Sequence, residues 1–218
     1  MDEVIPVLII PVLNRYDLLR DSINSINFPV GEILVIDNGG SNNEVLETEF
    51  SNVRVLSLPS NLGMSASWNL GIKLYPHEKF WVFSSADNIY MEDSLERMYK
   101  ESGEDKVVLS NSGFGFFSVG ENIIRNVGLF DEYFYPIYFE DNDFADRIEL
   151  SGFKITSSDI PVNDNDGSQT IKSDNKLLTR NHETFVENEK YYKSKVDSKN
   201  YECRGWDIDL RRKHEWMR

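Results

Sequence analysis

Four carboxylates stand close together in the segment 138–147, YFEDNDFADR, with aromatic residues beside them. They are Glu140, Asp141, Asp143 and Asp146. Like charges at this spacing repel one another, so a purely structural role explains them poorly. A carboxylate in a partly desolvated pocket, by contrast, can act as a general base or bind a cation. The segment therefore predicts an enzyme.

Polar residues also stand at the ends of apolar runs in the first half of the chain. The segment 11–15, PVLNR, follows the first run, and its backbone amides together with Arg15 suit a nucleotide's base or phosphate. Asp37 and Asn38 follow the second run, where an aspartate can bind a ribose or a base edge. Both segments are also consistent with ordinary turns between a strand and a helix.

Two further segments carry polar candidates. Asn61 is predicted to cap a helix that begins just after Gly63, whereas Asn69 is a polar residue among that helix's apolar residues and could face a cleft. Asp87 ends the buried strand of WVFSSADN, where a carboxylate suits a hard divalent cation that bridges a diphosphate. Taken alone, Asp87 is explained more simply as a turn aspartate that caps the helix near Met91.

Composition narrows the classes of function. The 218 residues fit one domain with a proper core, and the net charge of −14 argues against strong nucleic-acid binding, which depends on Lys and Arg. A phosphate ligand would need a divalent cation or a local basic spot. The single cysteine, Cys203, excludes an internal disulfide, and no apolar run reaches the ~18 residues of a membrane span. We expect a cytoplasmic protein.

Strand-like and helix-like patterns alternate through the first half of the chain, which predicts an α/β fold with a mainly parallel central sheet flanked by helices. Strands are predicted over 4–12, 32–37, 53–58, 80–84 and 107–110, and helices over 17–26, 64–74 and 92–99. Ligands of such sheets bind beyond the carboxyl ends of the strands. The polar candidates stand at those ends.

The pattern changes after residue 110. The segments 113–117 (GFGFF) and 133–139 are aromatic and irregular, which indicates a half that faces the substrate. Helices are predicted over 141–150 and 183–193, and a strand over 153–156. We therefore expect a catalytic domain over 1–170, divided at about residue 110 into a nucleotide-binding half and an acceptor half, and a C-terminal helical extension over 171–218.

Two other patterns predict no site by themselves. The segment 162–168, VNDNDGS, fails the EF-hand spacing because Val162 and Ser173 would stand at the first and twelfth ligand positions, although Asp164 or Asp166 can still contact a metal. The histidines lie far apart in the sequence and are expected on the solvated surface: His77, His182 and His214.

Five segments occur in one order: PVLNR, ILVIDNGGS, NLGMSASWNLGI, SSADN and GLFDEYFYPIYFEDNDFADRIELSGFKI. Together they resemble the family-2 glycosyltransferases of the GT-A fold, especially the rhamnosyltransferase-like branch. The resemblance covers roughly residues 5–168, and the segment 180–192 is similar to the closing helix of that branch. It implies a Rossmann-like GT-A domain that transfers a sugar, with inversion, from a nucleotide diphosphate sugar to an acceptor hydroxyl.

The resemblance also implies roles for single residues. Asp141 would be the catalytic base, with Glu140 orienting the sugar or the loop, while Asp143 and Asp146 would be bystanders on a helix face. The acceptor side would include Phe116, Phe117 and Tyr138. The nucleotide site is expected to include Pro11, Asn14, Arg15, Asp37, Asn38, Asn61, Gly63 and Asn69.

The resemblance implies a divalent cation, Mn²⁺ or Mg²⁺, at Asp87 in the acidic DxD-type motif. The chain departs from the family pattern in two places, because Ser85 replaces the first carboxylate and Asp164 stands where a histidine is usual. We expect Asp87 and Asp164 to hold the metal. The expected donor is a UDP- or dTDP-sugar rather than a GDP-sugar, and the acceptor is a glycan, a lipid-linked saccharide or another hydroxyl compound.

Two alternatives stay open. A non-catalytic carbohydrate- or partner-binding protein on the same scaffold is favoured by Ser85 and disfavoured by the Glu140–Asp141 pair. A sugar nucleotidyltransferase is disfavoured because PVLNR lacks the glycines that hold a triphosphate. The C-terminal tail could give peripheral membrane contact or be an ordinary solvated tail. Its relevant residues are Trp206, Arg211, Arg212, Lys213 and Trp216.

Overall fold

The computed structural model describes residues 3–40, 44–164, 169–172 and 175–203. The strands are β1 (Ile5–Val12), β2 (Val30–Asp37), β3 (Val53–Ser57), β4 (Phe80–Ser84), β5 (Ile89–Tyr90), β6 (Val107–Ser110), β7 (Gly113–Gly120), β8 (Ile155–Ser157) and β9 (Val162–Asn163). The helices are α1 (Tyr16–Asn24), α2 (Glu44–Glu49), α3 (Met64–Leu74), α4 (Ser94–Glu101), α5 (Glu121–Val127), α6 (Glu140–Leu150), α7 (Gln169–Lys172) and α8 (Asn175–Ser198).

Seven strands of the described chain form one sheet in the order β3-β2-β1-β4-β7-β6-β8. The first four of these are mutually parallel, β7 runs antiparallel to both β4 and β6, and β8 is parallel to β6. The predicted α/β fold with a mainly parallel sheet is therefore confirmed. Because β1, β2 and β4 run in one direction, their carboxyl ends share one edge of the sheet, as predicted for the polar candidates.

Helices cover both faces of the sheet. The core on one face includes side chains of α1 and α4, such as Leu19 and Met98. The core on the other face includes side chains of α3, α5 and α6, such as Trp68, Ile123 and Phe144. Buried side chains of this size each contribute about 1.5–3 kcal/mol to folding. The two apolar layers fix the sheet edge and the helices that carry the candidate site.

The prediction that 113–117 is irregular is wrong. This segment begins β7, which lies between β4 and β6 and hydrogen-bonds to both. Phe116 and Phe117, predicted on the acceptor side, point to opposite faces of the sheet and are fully buried in its two cores. The alternation of glycine with phenylalanine weakens the strand signal in the sequence, but two neighbouring strands complete the hydrogen bonds.

Helix α8 is longer than predicted, 24 residues against the expected 183–193. Its buried residues are polar: Thr184, Asn188 and Lys195. Asn188 bonds to the loop before α6, and Lys195 pairs with Asp131 and with Asp143 of α6, so α8 packs against the part of the chain between β7 and α6. Within the described ranges, none of the helices combines the length and the apolar character that crossing a bilayer requires. His77 and His182 are exposed as predicted.

Three sequence expectations lie outside the described residues. They concern His214, Asp166 and the aromatic and basic residues of the tail after residue 203.

Candidate active site

A cavity of about 240 Å³ opens at the carboxyl ends of β1, β2 and β4. Its walls come from five parts of the chain: residues 11–13, Asn38, the segment of Asn61, Gly63 and Met64, residues 85–87 and the loop 135–137. The C-terminal segment closes it with Thr170, Leu177, Arg180 and Asn181. Of the predicted nucleotide and metal residues, this cavity brings together Pro11, Asn38, Asn61, Gly63 and Asp87.

Asn38 fixes the corner where three of these parts meet. Its amide nitrogen donates to Ser67 Oγ of α3 at 2.9 Å, and its amide oxygen accepts the backbone N–H of Leu62 at 2.9 Å. The backbone N–H of Asn38 bonds to the carbonyl of Val12. Asn38 is buried, so this side chain joins the end of β1, the end of β2 and the start of α3 into one wall of the cavity.

The predicted helix cap at Asn61 is wrong. Helix α3 begins at Met64 with Gly63 as its N-cap, and Asn61 Oδ1 instead accepts the backbone N–H of Gly63 at 2.8 Å. Gly63 has a φ of 83°, and a Cβ there would lie 2.8 Å from the carbonyl oxygen of Pro136. Only glycine lets α3 start this close to the 135–137 loop.

Asp37 lies outside the cavity lining. It is fully buried, and its Oδ1 accepts the Tyr16 hydroxyl at 2.7 Å and the backbone N–H groups of Gly39 and Gly40 at 3.0 and 3.1 Å. The turn interpretation of this segment is therefore the one that the geometry supports. Asp37 shapes the end of β2, and its contact with a base or ribose stays a prediction.

Asn14 and Arg15 lie next to the cavity rather than in its wall. The Asn14 amide donates to the carbonyl of Thr170 at 3.1 Å, which ties the end of β1 to the C-terminal segment. Arg15 pairs with Asp17 at 2.5 Å. Arg15 also interacts electrostatically with Asp87, so positive charge is present near the cavity's acidic side.

Asn69 does not face the cleft. Its side chain is buried under α3, where it donates to the carbonyl of Phe130 at 2.8 Å and to Glu132 Oε1 at 2.9 Å. Its amide oxygen accepts the backbone N–H of Phe130 at 2.9 Å. This polar residue among apolar helix residues satisfies backbone groups of a packed loop, and Asn69 does not line the cavity that collects the other predicted nucleotide residues.

Asp87 and Asp164 come together through the small ribbon of β5 and β9. Ile89 pairs with Asn163 and Tyr90 with Val162, so the two aspartates lie beyond the same end of the ribbon. Burial raises the pKa of Asp87, and the neighbouring Asp164 carboxylate raises that pKa further. The buried Asn88 holds the turn, because its amide donates to Ser84 Oγ and to the carbonyl of Gly115.

This pair fits a divalent cation. Carboxylate oxygens are the ligands that Mg²⁺ and Mn²⁺ prefer, and a cation would relieve the repulsion between Asp87 and Asp164. No group of three or more His, Cys, Asp or Glu side chains with a metal-site arrangement occurs among the described residues. A cation at this pair would take its other ligands from a bound diphosphate and water.

Glu140 and Asp141 begin α6, directly after the loop that lines the cavity. The helix dipole favours carboxylates in this first turn. Glu140 is buried, and burial together with the Asp141 carboxylate raises the pKa of Glu140 to about 8. Burial also raises the pKa of Asp141, although its Oδ1 accepts the backbone N–H of Asn142 at 2.9 Å. The raised pKa of Glu140 favours its protonated form near neutral pH, directly beside the Asp141 carboxyl.

Asp143 and Asp146, predicted as bystanders on a helix face, both bind side chains of other elements. Asp143 is fully buried and pairs with Arg147 at 2.8 Å and with Lys195 at 2.5 Å. Asp146 accepts the hydroxyls of Tyr192 at 2.8 Å and Tyr201 at 2.9 Å. The two carboxylates fasten α6 to α8 and to the residues that follow it.

Sequence reasoning missed the contribution of α8 to the site. Arg180 and Asn181 line the first cavity, and Asn181 also donates to the Tyr138 hydroxyl at 3.0 Å. Tyr138 lines a second cavity of about 730 Å³ with residues of α8, among them His182 and Phe185. The resemblance of 180–192 to a closing helix was the available signal, but it assigned no single residue.

Comparison with known proteins gives the family. Residues 7–156 match the model of "Glycosyl transferase family 2", more than half of the chain. The chain belongs to glycosyl transferase family 2. Comparison with curated proteins gives no significant match.

Solved structures show the same fold at low sequence identity. The 1–349 segment of S. aureus TarS aligns with a TM-score of 0.53 and 16% identity, covering 71% of this chain and 58% of that one. Its complex with UDP aligns with a TM-score of 0.54, 16% identity and the same coverage. The catalytic domain of Drosophila β1,4-galactosyltransferase 7, in complex with xylobiose, gives 0.51 and 13% identity, covering 69% and 63%. This family-2 chain thus matches less than two thirds of each of these proteins.

Proposed function

We propose that the protein is an inverting, metal-dependent glycosyltransferase that moves a sugar from a nucleotide diphosphate sugar to an acceptor hydroxyl. The observation that carries the proposal is the cavity at the carboxyl ends of β1, β2 and β4, which has Asp87 on one side and the loop leading to Asp141 on the other. Ligands of open α/β sheets bind at this edge. TarS, which has a similar fold, binds UDP.

Asp141 is the proposed base. It takes the proton of the acceptor hydroxyl while that oxygen attacks C1 of the donor sugar, and the bonding pair of the breaking C1–O bond leaves with the diphosphate. Attack from the face opposite the diphosphate inverts the configuration at C1. Burial raises the pKa of Asp141, which makes its carboxylate a stronger base than a solvated aspartate. Glu140, protonated beside it, orients the sugar or the loop.

Because the protein is strongly acidic, positive groups must lie near the binding site for a diphosphate to bind. Arg180 lines the cavity and Arg15 lies close to Asp87, so two guanidinium groups counter the net charge of −14 near the binding site. A divalent cation at Asp87 and Asp164 would stabilise negative charge on the departing diphosphate. A UDP- or dTDP-sugar is the proposed donor, with a hexosyl or deoxyhexosyl group as in the rhamnosyltransferase-like branch.

The acceptor side lies on α8 rather than on β7. The second cavity combines Tyr138, Phe185 and His182 and adjoins the first through Asn181, which lines both. Aromatic faces beside polar side chains suit the alternating C–H and hydroxyl surface of a saccharide. A glycan or lipid-linked saccharide is the proposed acceptor, and the catalytic domain of residues 1–170 would act with its helical extension from residue 171.

Thermal-shift measurements with UDP-, dTDP- and GDP-sugars, with and without Mn²⁺, test the proposal. We expect stabilisation by a UDP- or dTDP-sugar that increases with Mn²⁺. Release of the nucleoside diphosphate in the presence of metal would exclude a non-catalytic binding protein. If none of the sugar nucleotides shifts the unfolding temperature, the glycosyltransferase proposal is refuted.

A further inference from the structure

Asn188 occupies an unusual position in α8. It is fully buried in a helix whose neighbouring residues 185–187 are exposed. Its amide nitrogen lies 3.0 Å from the carbonyl oxygen of Ile137 and 3.3 Å from those of Tyr135 and Tyr138. The two N–H groups of one side chain are thus shared among three backbone carbonyls of a single loop.

The remaining carbonyl of this loop is held from the opposite side. The backbone N–H of Met64, in the first turn of α3, donates to the carbonyl of Pro136 at 2.8 Å. All four carbonyls of residues 135–138 therefore have partners, three of them on Asn188. Buried carbonyls without partners are rare in native proteins, so Asn188 accounts for most of the polar satisfaction of this loop.

The loop connects the two chemical parts of the site. Residues 135–137 line the nucleotide cavity, and the chain then passes through Tyr138 and Phe139 into Glu140 and Asp141. Tyr138 and Phe139 have φ values of 83° and 71°, which side-chain-bearing residues rarely adopt. Such a backbone persists only when its surroundings hold it in place.

Helix α8 also holds the aromatic side chains of the strained pair. The rings of Tyr138 and Phe139 pack against Phe185 with centroids 5.2 and 5.0 Å away, and Phe139 stacks on Tyr192 at 5.6 Å. Asn188 lies in α8 between these two ring contacts. The backbone of the loop and its side chains are thus fixed by the same face of one helix.

We propose that Asn188 is a positioning residue for sugar transfer: it fixes the loop 135–139 and thereby orients Asp141 at the end of the nucleotide cavity. This inference rests on the proposed function. Asn188 acts through the loop and touches no reacting atom. Because displacements of about 1 Å in a catalytic group can cost ~100-fold in rate, loss of its hydrogen bonds is expected to impair the chemical step.

The test compares Asn188→Ala and Asn188→Leu with Asn126→Ala and Asn126→Leu. Leucine has the same branching of heavy atoms as asparagine but no hydrogen-bond donors, and alanine removes the amide without adding bulk. Asn126 is an exposed residue whose amide donates to the carbonyl of Asn122 in the same helix at 2.7 Å. We expect both Asn188 variants to lower kcat by ~10–100-fold. Their affinity for a nucleoside diphosphate should stay within about 3-fold, because Met64 still holds Pro136. Both Asn126 variants should behave as the unaltered protein.

Hydrogen exchange gives a second readout that needs no turnover. We expect faster exchange at the backbone amides of residues 138–142 in the Asn188 variants, with the sheet unchanged. Folded Asn188 variants with kcat within 3-fold of the unaltered protein would overturn the proposal, as would the unfolding of both variants or faster exchange throughout the domain. If the unaltered protein transfers no sugar, the proposed function fails, whereas the exchange comparison still decides whether Asn188 holds the loop.

Discussion

Replacing Lys195 by methionine should strongly destabilise the protein. The Lys195 ammonium lies 2.6 Å from Asp131 Oδ2 and 2.5 Å from Asp143 Oδ1, and both aspartate side chains are 0% exposed. Arg147 pairs with Asp143 from the same helix at 2.8 Å. Two cations thus balance two carboxylates inside the protein. Methionine retains an unbranched apolar side chain but removes the ammonium charge.

The magnitude follows from the burial of this network. With an effective dielectric constant of about 20, a charge pair at 2.6 Å attracts with ~6 kcal/mol. Desolvation of the ammonium offsets much of that attraction. After the substitution, however, Asp131 and Asp143 stay buried with Arg147 as the remaining cation of the network. Breaking a buried ion pair on one side costs about 3–5 kcal/mol, and we expect a loss of that size.

Urea denaturation of Lys195→Met beside Lys193→Met measures this loss. Lys193, two residues earlier in α8, pairs with Glu189 at 2.8 Å, but its side chain is 65% exposed. A surface pair of this kind contributes ~0–1 kcal/mol, so Lys193→Met serves as the matched control. A Lys195→Met protein whose free energy of unfolding lies within about 1 kcal/mol of the control would refute the reasoning.

Three further predictions concern the start of α3, the first turn of α6 and the wall of the cavity. Gly63→Ala should lower the free energy of unfolding by about 2–3 kcal/mol and weaken nucleotide binding, because the added Cβ meets the carbonyl of Pro136. Gly152 has a similar φ of 81° but open space around it, so Gly152→Ala should lower the free energy of unfolding by only ~1 kcal/mol. Urea denaturation and UDP titration of both variants check these values. The pKa of Glu140 is about 8 in the folded protein, against an ordinary value of 4.5. Between about pH 4.5 and 8 the unfolded state therefore binds fewer protons at this residue than the folded state. Because of this difference, the free energy of unfolding falls as the pH rises through that range. Glu140→Gln should remove this fall, on the order of a few kcal/mol, in unfolding curves recorded at pH 5 and pH 8; an unchanged pH dependence would contradict the raised pKa. Arg180→Ala should raise the dissociation constant of UDP by ~10-fold in calorimetric titration. Arg125→Ala, on α5, should leave that constant unchanged. Equal effects of the two substitutions would argue against a contact between Arg180 and the diphosphate.

The parallel part of the fold could be predicted because its strands are continuous apolar runs. Strands β4 and β6 and helix α3 have the predicted bounds, and the polar residues at the strand ends converge as expected. Strand β7 could not be recognised, because its glycines and phenylalanines read as an irregular aromatic segment. Its strand state depends on the hydrogen bonds of β4 and β6, which are distant in sequence.

The position of the candidate site could be predicted from the sequence, but the hydrogen-bond and ion-pair partners of its residues could not. Asp37 and Asn69 are polar residues in suggestive places, yet both are occupied by backbone groups that the fold brings to them. The sequence predicts Asp143 as a bystander on a helix face, because nothing local shows that Lys195, 52 residues later, pairs with it. The network of buried charges is a tertiary property, and sequence spacing within one helix does not reveal it.

The central claim is that Asp141 is the base of a sugar transfer, and Asp141→Asn tests it most directly. The amide has nearly the shape of the carboxylate but does not accept the acceptor's proton. With the preferred sugar nucleotide and a saccharide acceptor, we predict that kcat falls by ~100–10,000-fold while the dissociation constant of the nucleoside diphosphate changes less than about 3-fold. A variant that retains near-normal kcat would contradict the claim.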